Sequence, residues 1–345
     1  MVSGGHGYYF DTGTNTWEPQ RPLVNGMRED FVTPYYARDV SGMLINRARL
    51  SVSKARTNGT TTHTPSGHQW WRMSARTYLA EQYPNNPEIW NFLSNDNDPQ
   101  GEIDDDIRAR PLLAEHVGAS YSLHIHSNAA DDDSIRGTTG WYQTGRDTDR
   151  EYTARILCAV KETIQANSNY ATWKVDISPH SADKGENRLT PSSRSTIIEL
   201  GFHTNASDAT ALQDATFRRQ AVAGMEKGIR LYHEGKQCTD FKIDSIPTVS
   251  GPVNTPFNYY INFSGNPTFP VTVHSTVVSC ASGWSCPSFT RTENSPQDSQ
   301  LTFTIHCTSS TPGQSGTFRY KRWLVDADGI KTQPVEHTYT CTAAS

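Results

Sequence analysis

Residues 121–129 constrain the fold of this chain more than any other segment. They begin as a short apolar strand and continue directly into polar and small residues, which is typical of a strand that ends at the edge of a sheet. Side chains alternate along a strand, so the imidazoles of His124 and His126 point to the same face. Sites in open α/β sheets form at the carboxyl ends of strands, and this makes His126 a candidate site residue. His124 lies one pleat deeper, and we expect it to pack in the core or to support the site.

Helical and strand segments alternate through the first two-thirds of the chain. Thr33 and Pro34 have the pattern of an N-cap followed by proline in the first helical turn, which places Glu29 just ahead of a helix. Segments with helical or strand periodicity follow one another at 36–50, 121–129, 152–164, 195–202 and 217–232. This alternation predicts an α/β domain over residues 1–237, with a mostly parallel sheet flanked by helices.

The helical periodicity disappears beyond Cys238. Short runs rich in threonine, valine and aromatic residues follow, separated by proline and glycine turns, as at 271–278 and 317–323. Such runs are typical of antiparallel strands. We therefore expect a linker at 238–250 and a smaller all-β domain at 251–345, an immunoglobulin-like or fibronectin-like sandwich.

The composition limits the classes of partner that this chain could bind. The formal net charge is −5, and basic and acidic residues are mixed without a run of lysines or arginines. A nucleic-acid or anionic-membrane partner would require a basic patch, so neither is predicted. No apolar run approaches the roughly 20 residues that cross a membrane, so membrane insertion is not predicted either. We expect a monomer of two domains.

The cysteines indicate the compartment in which the chain folds. Four of the six lie in the last quarter of the chain, namely Cys280, Cys286, Cys307 and Cys341. A small β-rich region with four cysteines predicts disulfides and an oxidising environment, although three pairings are possible. A zinc site is the alternative, but the paired C-x₂₋₄-C spacing that such sites prefer is missing. The first residues carry no signal peptide, so we expect that an export signal precedes this chain or has been removed.

Four residues that lie far apart in the sequence are the candidates for metal binding and catalysis. The chain has no G-x-S-x-G, H-E-x-x-H, G-x-x-x-x-G-K-[ST] or G-x-G-x-x-G motif. It does place His6 on a glycine loop, Glu29 ahead of a helix, and His126 and Glu199 at the ends of strands. Two histidines and one glutamate can hold a catalytic zinc, and a separate carboxylate can then act as base and acid. In the alternative interpretation, Glu29 complements a helix dipole and Glu199 is a buried ion-pair partner.

The same residues, in the same order, resemble a known family. Gly5-His-Gly7, Glu29, His126-Ser-Asn128-Ala129 and Glu199-Leu-Gly-Phe-His-Thr-Asn205 are similar to motifs of the zinc-dependent N-acetylmuramoyl-L-alanine amidases of the amidase_3 family. The resemblance extends from about residue 3 to residue 235. It implies that His6, Glu29 and His126 are zinc ligands and that Glu199 is the catalytic carboxylate. His124, Asn128 and His203 are further candidates for substrate binding or for support of the ligands.

The resemblance implies a peptidoglycan hydrolase that uses Zn²⁺. Its substrate bond would be the amide between N-acetylmuramic acid and the L-alanine of the stem peptide, and its location secreted, periplasmic or cell-wall-associated. Another zinc peptidase or amidase on the same scaffold remains an alternative, as does a non-catalytic protein that binds the cell wall. The β domain lies outside the resemblance and could bind the wall or act as a spacer. Trp70, Trp71 and Trp90 could pack a helix or form a wall against which sugars stack.

Overall fold

Two units, Met1–Gln237 and Cys238–Ser345, divide the chain in the computed structural model, which describes residues 1–93 and 98–343. The helices, all in the first unit, are α1 (Glu29–Asn46), α2 (Ala75–Gln82), α3 (Pro87–Trp90), α4 (Pro99–His116), α5 (Asp147–Ala166), α6 (Gly185–Arg188), α7 (Ala206–Gln213) and α8 (Ala215–His233). The strands of this unit are β1 (Val2–Gly4), β2 (Tyr8–Asp11), β3 (Thr16–Pro19), β4 (Thr62–His63), β5 (His68–Gln69), β6 (Tyr121–Asn128), β7 (Thr139–Gln143), β8 (His180–Ala182) and β9 (Arg194–Phe202). Among the described residues, none of the helices has the length and apolar character needed to cross a membrane.

A five-stranded sheet in the order β1–β6–β9–β7–β8 lies at the centre of the first unit. The pairs β1–β6, β6–β9 and β7–β8 are parallel, whereas β7 runs antiparallel to β9. The predicted α/β architecture, a sheet flanked by helices, is confirmed. The antiparallel pair has a simple cause: residues 129–138 between β6 and β7 contain no helix, and a parallel return usually requires one.

The two faces of the sheet differ in what covers them. Leu123 and Ile125 of β6 point into an apolar core formed with helices α1, α5 and α8. Helices α5 and α8 approach so closely that a β-carbon on Gly224 would lie 2.5 Å from Cα of Val160. The opposite face carries the two histidines of β6. Glu186 of α6 contacts His126 there, and Arg110 of α4 in turn contacts Glu186. The candidate site therefore lies on the polar face of the sheet.

Helix α1 begins earlier than the sequence pattern indicates, and the prediction that Glu29 precedes the helix is wrong. Glu29 is the first residue of α1, and Pro34 lies inside the helix. Proline has no N–H, so the carbonyl of Asp30 lacks its usual helical donor. The buried guanidinium of Arg56 replaces it, with Nη2 donating to that carbonyl at 3.1 Å. The side chain of Arg56 thus allows Pro34 to lie inside α1, although the sequence pattern places this proline at the start of a helix.

The second unit consists of β10 (Lys242–Ser245), β11 (Val249–Pro252), β12 (Phe257–Ser264), β13 (Val271–Ser279), β14 (Phe289–Glu293), β15 (Gln300–Ile305), β16 (Gly316–Val325) and β17 (Val335–Thr342). They form one sheet in the order β10–β12–β15 and another in the order β11–β17–β16–β13–β14. Tyr259 of the first sheet stacks on His337 of the second, with ring centroids 5.5 Å apart. The predicted β-rich C-terminal region is confirmed, and β10 falls within the segment predicted as a linker.

The disulfides expected from the sequence are present. Cys280 pairs with Cys286 and Cys307 pairs with Cys341. Cys158 and Cys238 are disulfide-bonded as well, so none of the six cysteines is a free thiol. The zinc alternative for the C-terminal cysteines is therefore wrong.

Candidate metal and catalytic site

A cleft of about 510 Å³ opens where β1, β6 and β9 end on the polar face of the sheet. It is lined by His6, Arg21, Pro22, Glu29, Ile107, His126, Ser127, Asn128, Ala129, Lys184, Gly185, Glu186, Ile197, Glu199 and His203. Six of the seven residues singled out in the sequence line this one cleft, and His124 lies behind it in the core. The parallel strands β1, β6 and β9 bring His6, His126 and Glu199 together, because their carboxyl ends meet at one edge of the sheet.

Three of the lining residues form a compact group that could hold a metal ion. One ligand atom from each of His6, Glu29 and His126 lies within 4.8 Å of the others, and all three residues are buried. The Oε1 atom of Glu29 lies 3.0 Å from Nδ1 of His126 and 3.6 Å from Nε2 of His6. Glu29 reaches this position from the first turn of α1, where the backbone N–H of Ser127 also donates to Oε1.

The loop that carries His6 has a conformation that few side chains tolerate. His6 has a φ of 60°, and Gly7 follows with a φ of 137°. Such values are unusual for a residue with a β-carbon and persist only where neighbouring groups hold them. Here the carboxylate of Asp30 accepts hydrogen bonds from the backbone N–H groups of Gly7, Gln20 and Arg21. This buried carboxylate fixes the loop and thereby aims the imidazole of His6 into the cleft.

The two imidazoles have opposite charge preferences. Burial lowers the pKa of His6 to about 3, so its ring is neutral at pH 7. Burial also acts to lower the pKa of His126, but the carboxylates of Glu186 and Glu29 outweigh it and raise the pKa to about 9. Both nitrogens of His126 face a carboxylate oxygen, Nδ1 toward Glu29 and Nε2 toward Glu186. The space between His126 and Glu29 thus favours a positive charge.

Glu199 stands beside this group on the neighbouring strand. It is paired with His126 in the parallel register of β6 and β9, so both side chains point to the same face. Its Oε2 atom accepts hydrogen bonds from the amide of Asn128, from Trp141 Nε1 at 2.8 Å and from Thr139 Oγ1 at 3.1 Å. The Oε1 atom faces the ammonium of Lys184 at 4.0 Å. Three donors therefore fix one oxygen of the carboxylate and leave the other toward the cleft.

The model of the family described as Amidase_3, N-acetylmuramoyl-L-alanine amidase, matches residues 1–230. The chain belongs to this amidase family. The match runs from residue 1 to residue 230, within α8, and includes every residue of the candidate site. It ends before the second unit begins.

Several solved amidases are similar in fold to this amidase-family chain. The catalytic domain of CwlV, an N-acetylmuramoyl-L-alanine amidase from Bacillus (Paenibacillus) polymyxa var. colistinus, is 16% identical with a TM-score of 0.43, over 68% of this chain and 97% of that one. An N-acetylmuramoyl-L-alanine amidase from Clostridium difficile 630 is 16% identical with a TM-score of 0.44, over 68% and 96% of the two chains. The amidase AmiC2 of Nostoc punctiforme is 18% identical with a TM-score of 0.39, over 68% and 95%. A comparison with curated protein sequences gave no match.

The remaining candidates of the amidase unit take supporting positions. His124 is fully buried, and its Nδ1 atom lies 2.9 Å from the hydroxyl of Ser3 on β1. The side-chain amide of Asn128 donates to Oε2 of Glu199. His203 is buried at the edge of the cleft, where its Nδ1 atom lies 2.9 Å from the hydroxyl of Ser127. His124 therefore ties two strands together, and His203 presents a ring to the cleft.

Sequence reasoning missed the groups behind the amidase site. Glu186 contacts His126, and it is held by Arg110, which also contacts Asp106. Gln20 links Asp106 to His6. The spacing of Asp106 and Arg110, one helical turn apart on α4, is a signal in the sequence, but it does not reveal that this pair is buried.

The tryptophans of the amidase unit make packing contacts. Trp70 meets the ring of His63 edge-on at 4.6 Å, and Trp90 Nε1 donates to the carbonyl of Tyr83 at 2.9 Å. Trp71 lies 5.4 Å from the ring of Tyr35 and lines a separate cleft of about 520 Å³. These contacts favour the packing interpretation for Trp70 and Trp90.

Proposed function

We propose that this chain hydrolyses the amide bond between N-acetylmuramic acid and L-alanine in peptidoglycan, with a zinc ion held by His6, Glu29 and His126. The observation that carries this proposal is the convergence of three ligand atoms within 4.8 Å in the cleft that also contains Glu199. The proposal agrees with the family to which the chain belongs.

The donor set fits zinc in kind and in spacing. Imidazole nitrogen and carboxylate oxygen are ligands that zinc prefers, and three protein ligands leave a position for water or substrate. Ligands about 2.0 to 2.1 Å from a tetrahedral zinc lie about 3.4 Å from one another. The contacts of 3.0 and 3.6 Å around Glu29 are close to this spacing. A competing donor is Arg21, whose Nε lies 3.2 Å from Nε2 of His6, but its side chain is 38% exposed and can turn into solvent.

In this proposal Glu199 moves the proton. A bound zinc ion supplies Lewis acidity, which makes water more acidic and a carbonyl carbon more electrophilic. Oε1 of Glu199 takes a proton from the attacking water, because Oε2 already accepts three hydrogen bonds. The same oxygen then returns the proton to the nitrogen of the departing L-alanine, since an amine leaves poorly without one. Asn128, Thr139 and Trp141 hold the carboxylate in position for both transfers.

Two cationic side chains at the cleft suit the charges of the reaction. Lys184 lies against the ring of Trp141, with Nζ 4.5 Å from the ring centroid, and it faces Oε1 of Glu199. An ammonium here can attract the carboxylates of a stem peptide. Arg21 also lines the cleft, with Nε 3.9 Å from Oε2 of Glu29.

The experiment that tests the proposal is mass spectrometry of the products from purified peptidoglycan, with and without a chelator. We expect stem peptides with new L-alanine amino termini and no new reducing sugar ends. The chelator should abolish them and added zinc should restore them. Cleavage at a different bond would replace the amidase assignment by another zinc peptidase or amidase.

For the second unit, residues 238–345, we propose an immunoglobulin-like sandwich that serves as an accessory domain. The support is its two-sheet arrangement, the alternation of buried and exposed residues along β12 and β15, and the contact of Tyr259 with His337 between the sheets. Its disulfides favour a secreted or periplasmic protein, since such bonds persist in oxidising compartments.

A further inference from the structure

A single buried network holds both imidazoles of the proposed zinc site from behind. Nδ1 of His6 lies 3.0 Å from Oε1 of Gln20, and Nε2 of Gln20 donates to Asp106 at 2.9 Å. Asp106 accepts from Arg110, and Arg110 also donates to Glu186. Oε1 of Glu186 closes the path at 2.9 Å from Nε2 of His126. Four side chains from three segments of the chain thus connect one proposed ligand to the other.

The donors and acceptors of this network determine which nitrogen of each histidine keeps its proton when the other nitrogen binds a cation. Gln20 donates to Asp106 through its amide nitrogen, so its oxygen accepts from Nδ1–H of His6. The lone pair of His6 is then on Nε2, the atom that faces Glu29. Arg110 donates to Glu186, so the carboxylate of Glu186 accepts from Nε2–H of His126. When a cation takes the place of the second proton of His126, the lone pair is on Nδ1, which also faces Glu29.

The burial of these charges argues against a role in stability alone. Arg110 and Asp106 are fully buried, and Glu186 is 6% exposed. Removing such charges from water costs several kcal/mol for each ion, and apolar residues of similar size often stabilise a fold at least as well. Apolar residues, however, cannot accept a hydrogen bond from the ring N–H of His126 or hold Gln20 so that it accepts one from His6. Partners of this kind, which hold ligating histidines, typically contribute a factor of about 10 to 100 in metal affinity.

We propose that Gln20, Asp106, Arg110 and Glu186 are positioning residues that set the tautomers of His6 and His126 so that both lone pairs converge on one divalent cation. The inference rests on the proposed zinc site and goes beyond it, because none of the four residues is itself a ligand. Removing Glu186 releases His126, removing Gln20 releases His6, and removing Arg110 weakens the hold on both.

The test measures zinc affinity in metal-stripped protein by competition with a chromophoric chelator. The variants are Glu186→Ala, Glu186→Gln, Gln20→Leu and the pair Arg110→Met and Arg110→Lys. Circular dichroism and thermal unfolding in the presence of chelator establish that each variant folds. A matched control is Lys227→Met, which removes a buried cation that bonds Glu162 at 2.6 Å, on α8 and away from the cleft.

We expect a graded loss of affinity. Glu186→Ala and Arg110→Met should weaken zinc binding by about 10- to 100-fold. Glu186→Gln keeps an acceptor oxygen and Arg110→Lys keeps a charge, so each should retain more affinity than its partner variant. Lys227→Met should lower the unfolding temperature and leave zinc affinity unchanged. If kcat for the release of stem peptides falls in the same order of variants as the zinc affinity, while KM changes little, the positioning role is supported further.

Two results would overturn the inference. One is zinc affinity within about twofold of the parent in the folded Glu186→Ala and Gln20→Leu variants. The other is a loss no greater than that of Lys227→Met, which would make the network merely structural. A parent protein that binds no zinc would instead refute the proposed function, and the inference with it. A parent that binds zinc but releases no stem peptide refutes only the amidase assignment, and the affinities still decide the role of the network.

Discussion

The imidazole of His126 lies directly against the backbone of Gly5, so closely that a β-carbon on Gly5 would come within 2.4 Å of two ring atoms, Nδ1 and Cε1. Gly5 belongs to the loop that follows β1, and its N–H donates to the carbonyl of Ile125 on β6. Glycine is the residue that lets the loop bearing His6 pass this close to the second histidine. The two proposed ligands can therefore approach a common atom only because position 5 has no side chain.

Gly5→Ala should displace the ring of His126. We expect zinc affinity to fall by about tenfold or more, since a close-packed site cannot absorb an added methyl group without movement. The measurement is the competition assay, together with hydrolysis of peptidoglycan. Gly42→Ala is the matched control, because Gly42 lies in α1 with no atom within 4 Å of an added β-carbon. That control should keep activity and stabilise the fold by about 0.5 to 1 kcal/mol; equal behaviour of the two variants would contradict the steric argument.

Glu199→Gln should separate zinc binding from catalysis. The amide preserves the size of the side chain but cannot take a proton from water, so kcat should fall by about 10²- to 10⁴-fold. Zinc affinity should stay close to that of the parent, because Glu199 is not among the three proposed ligands. Substantial hydrolysis by this variant, in protein shown to contain zinc, would remove Glu199 from the mechanism.

Metal removal should destabilise the first unit as well as stop hydrolysis. A ligand that binds only the folded state at 100 times its Kd stabilises that state by about 2.7 kcal/mol. We therefore expect chelator to lower the unfolding temperature and zinc to restore it. In His126→Ala the unfolding temperature should not respond to zinc. A response in that variant equal to the parent's would place the metal elsewhere.

His337 should make the second unit sensitive to acid. Burial, with a smaller contribution from nearby Arg322, lowers the pKa of His337 to about 4. The unfolded chain takes up this proton near pH 6.5, whereas the folded unit does so only near pH 4. Its contribution to stability is thus present above about pH 6.5 and is lost as the pH falls toward 4. The protection of β12 and β17 amides from hydrogen exchange, relative to the intrinsic exchange rate at each pH, should fall over this interval. His337→Gln should flatten that change; an unaltered profile would assign the acid sensitivity to another group.

Deletion of residues beyond 245 should distinguish the two roles of the second unit. If this unit binds the wall, the shortened protein should lose retention on insoluble peptidoglycan and keep its activity on soluble muropeptides. If it is a spacer, both properties should remain. The cut after residue 245 retains Cys238, which is disulfide-bonded in the full chain. Circular dichroism of the shortened protein provides the check on folding.

The sequence indicated the architecture and the chemistry of the site through local patterns. Alternation along residues 121–128 places His126 at the end of a strand, and helical spacing at 152–164 predicts what became α5. Local patterns were less successful at Pro34, where a proline inside α1 mimics a helix start. The reason is that Arg56, a partner 26 residues from Asp30, supplies the missing hydrogen bond.

By itself, the sequence determined which residue types were available for catalysis and the strand ends from which two of them project, because periodicity and glycine loops are local properties of a chain. Only the tertiary structure decided that three ligand atoms meet around Glu29, that Oε2 of Glu199 is fixed by three donors, and that Glu186 and Gln20 hold the two histidines. Those relationships join residues far apart in the sequence: His126 and Glu29 are 97 positions apart, and Asn128 and Glu199 are 71 positions apart. Hydrogen bonding and burial between such distant residues depend on how the helices and strands pack, and residue spacing in the sequence does not predict that packing.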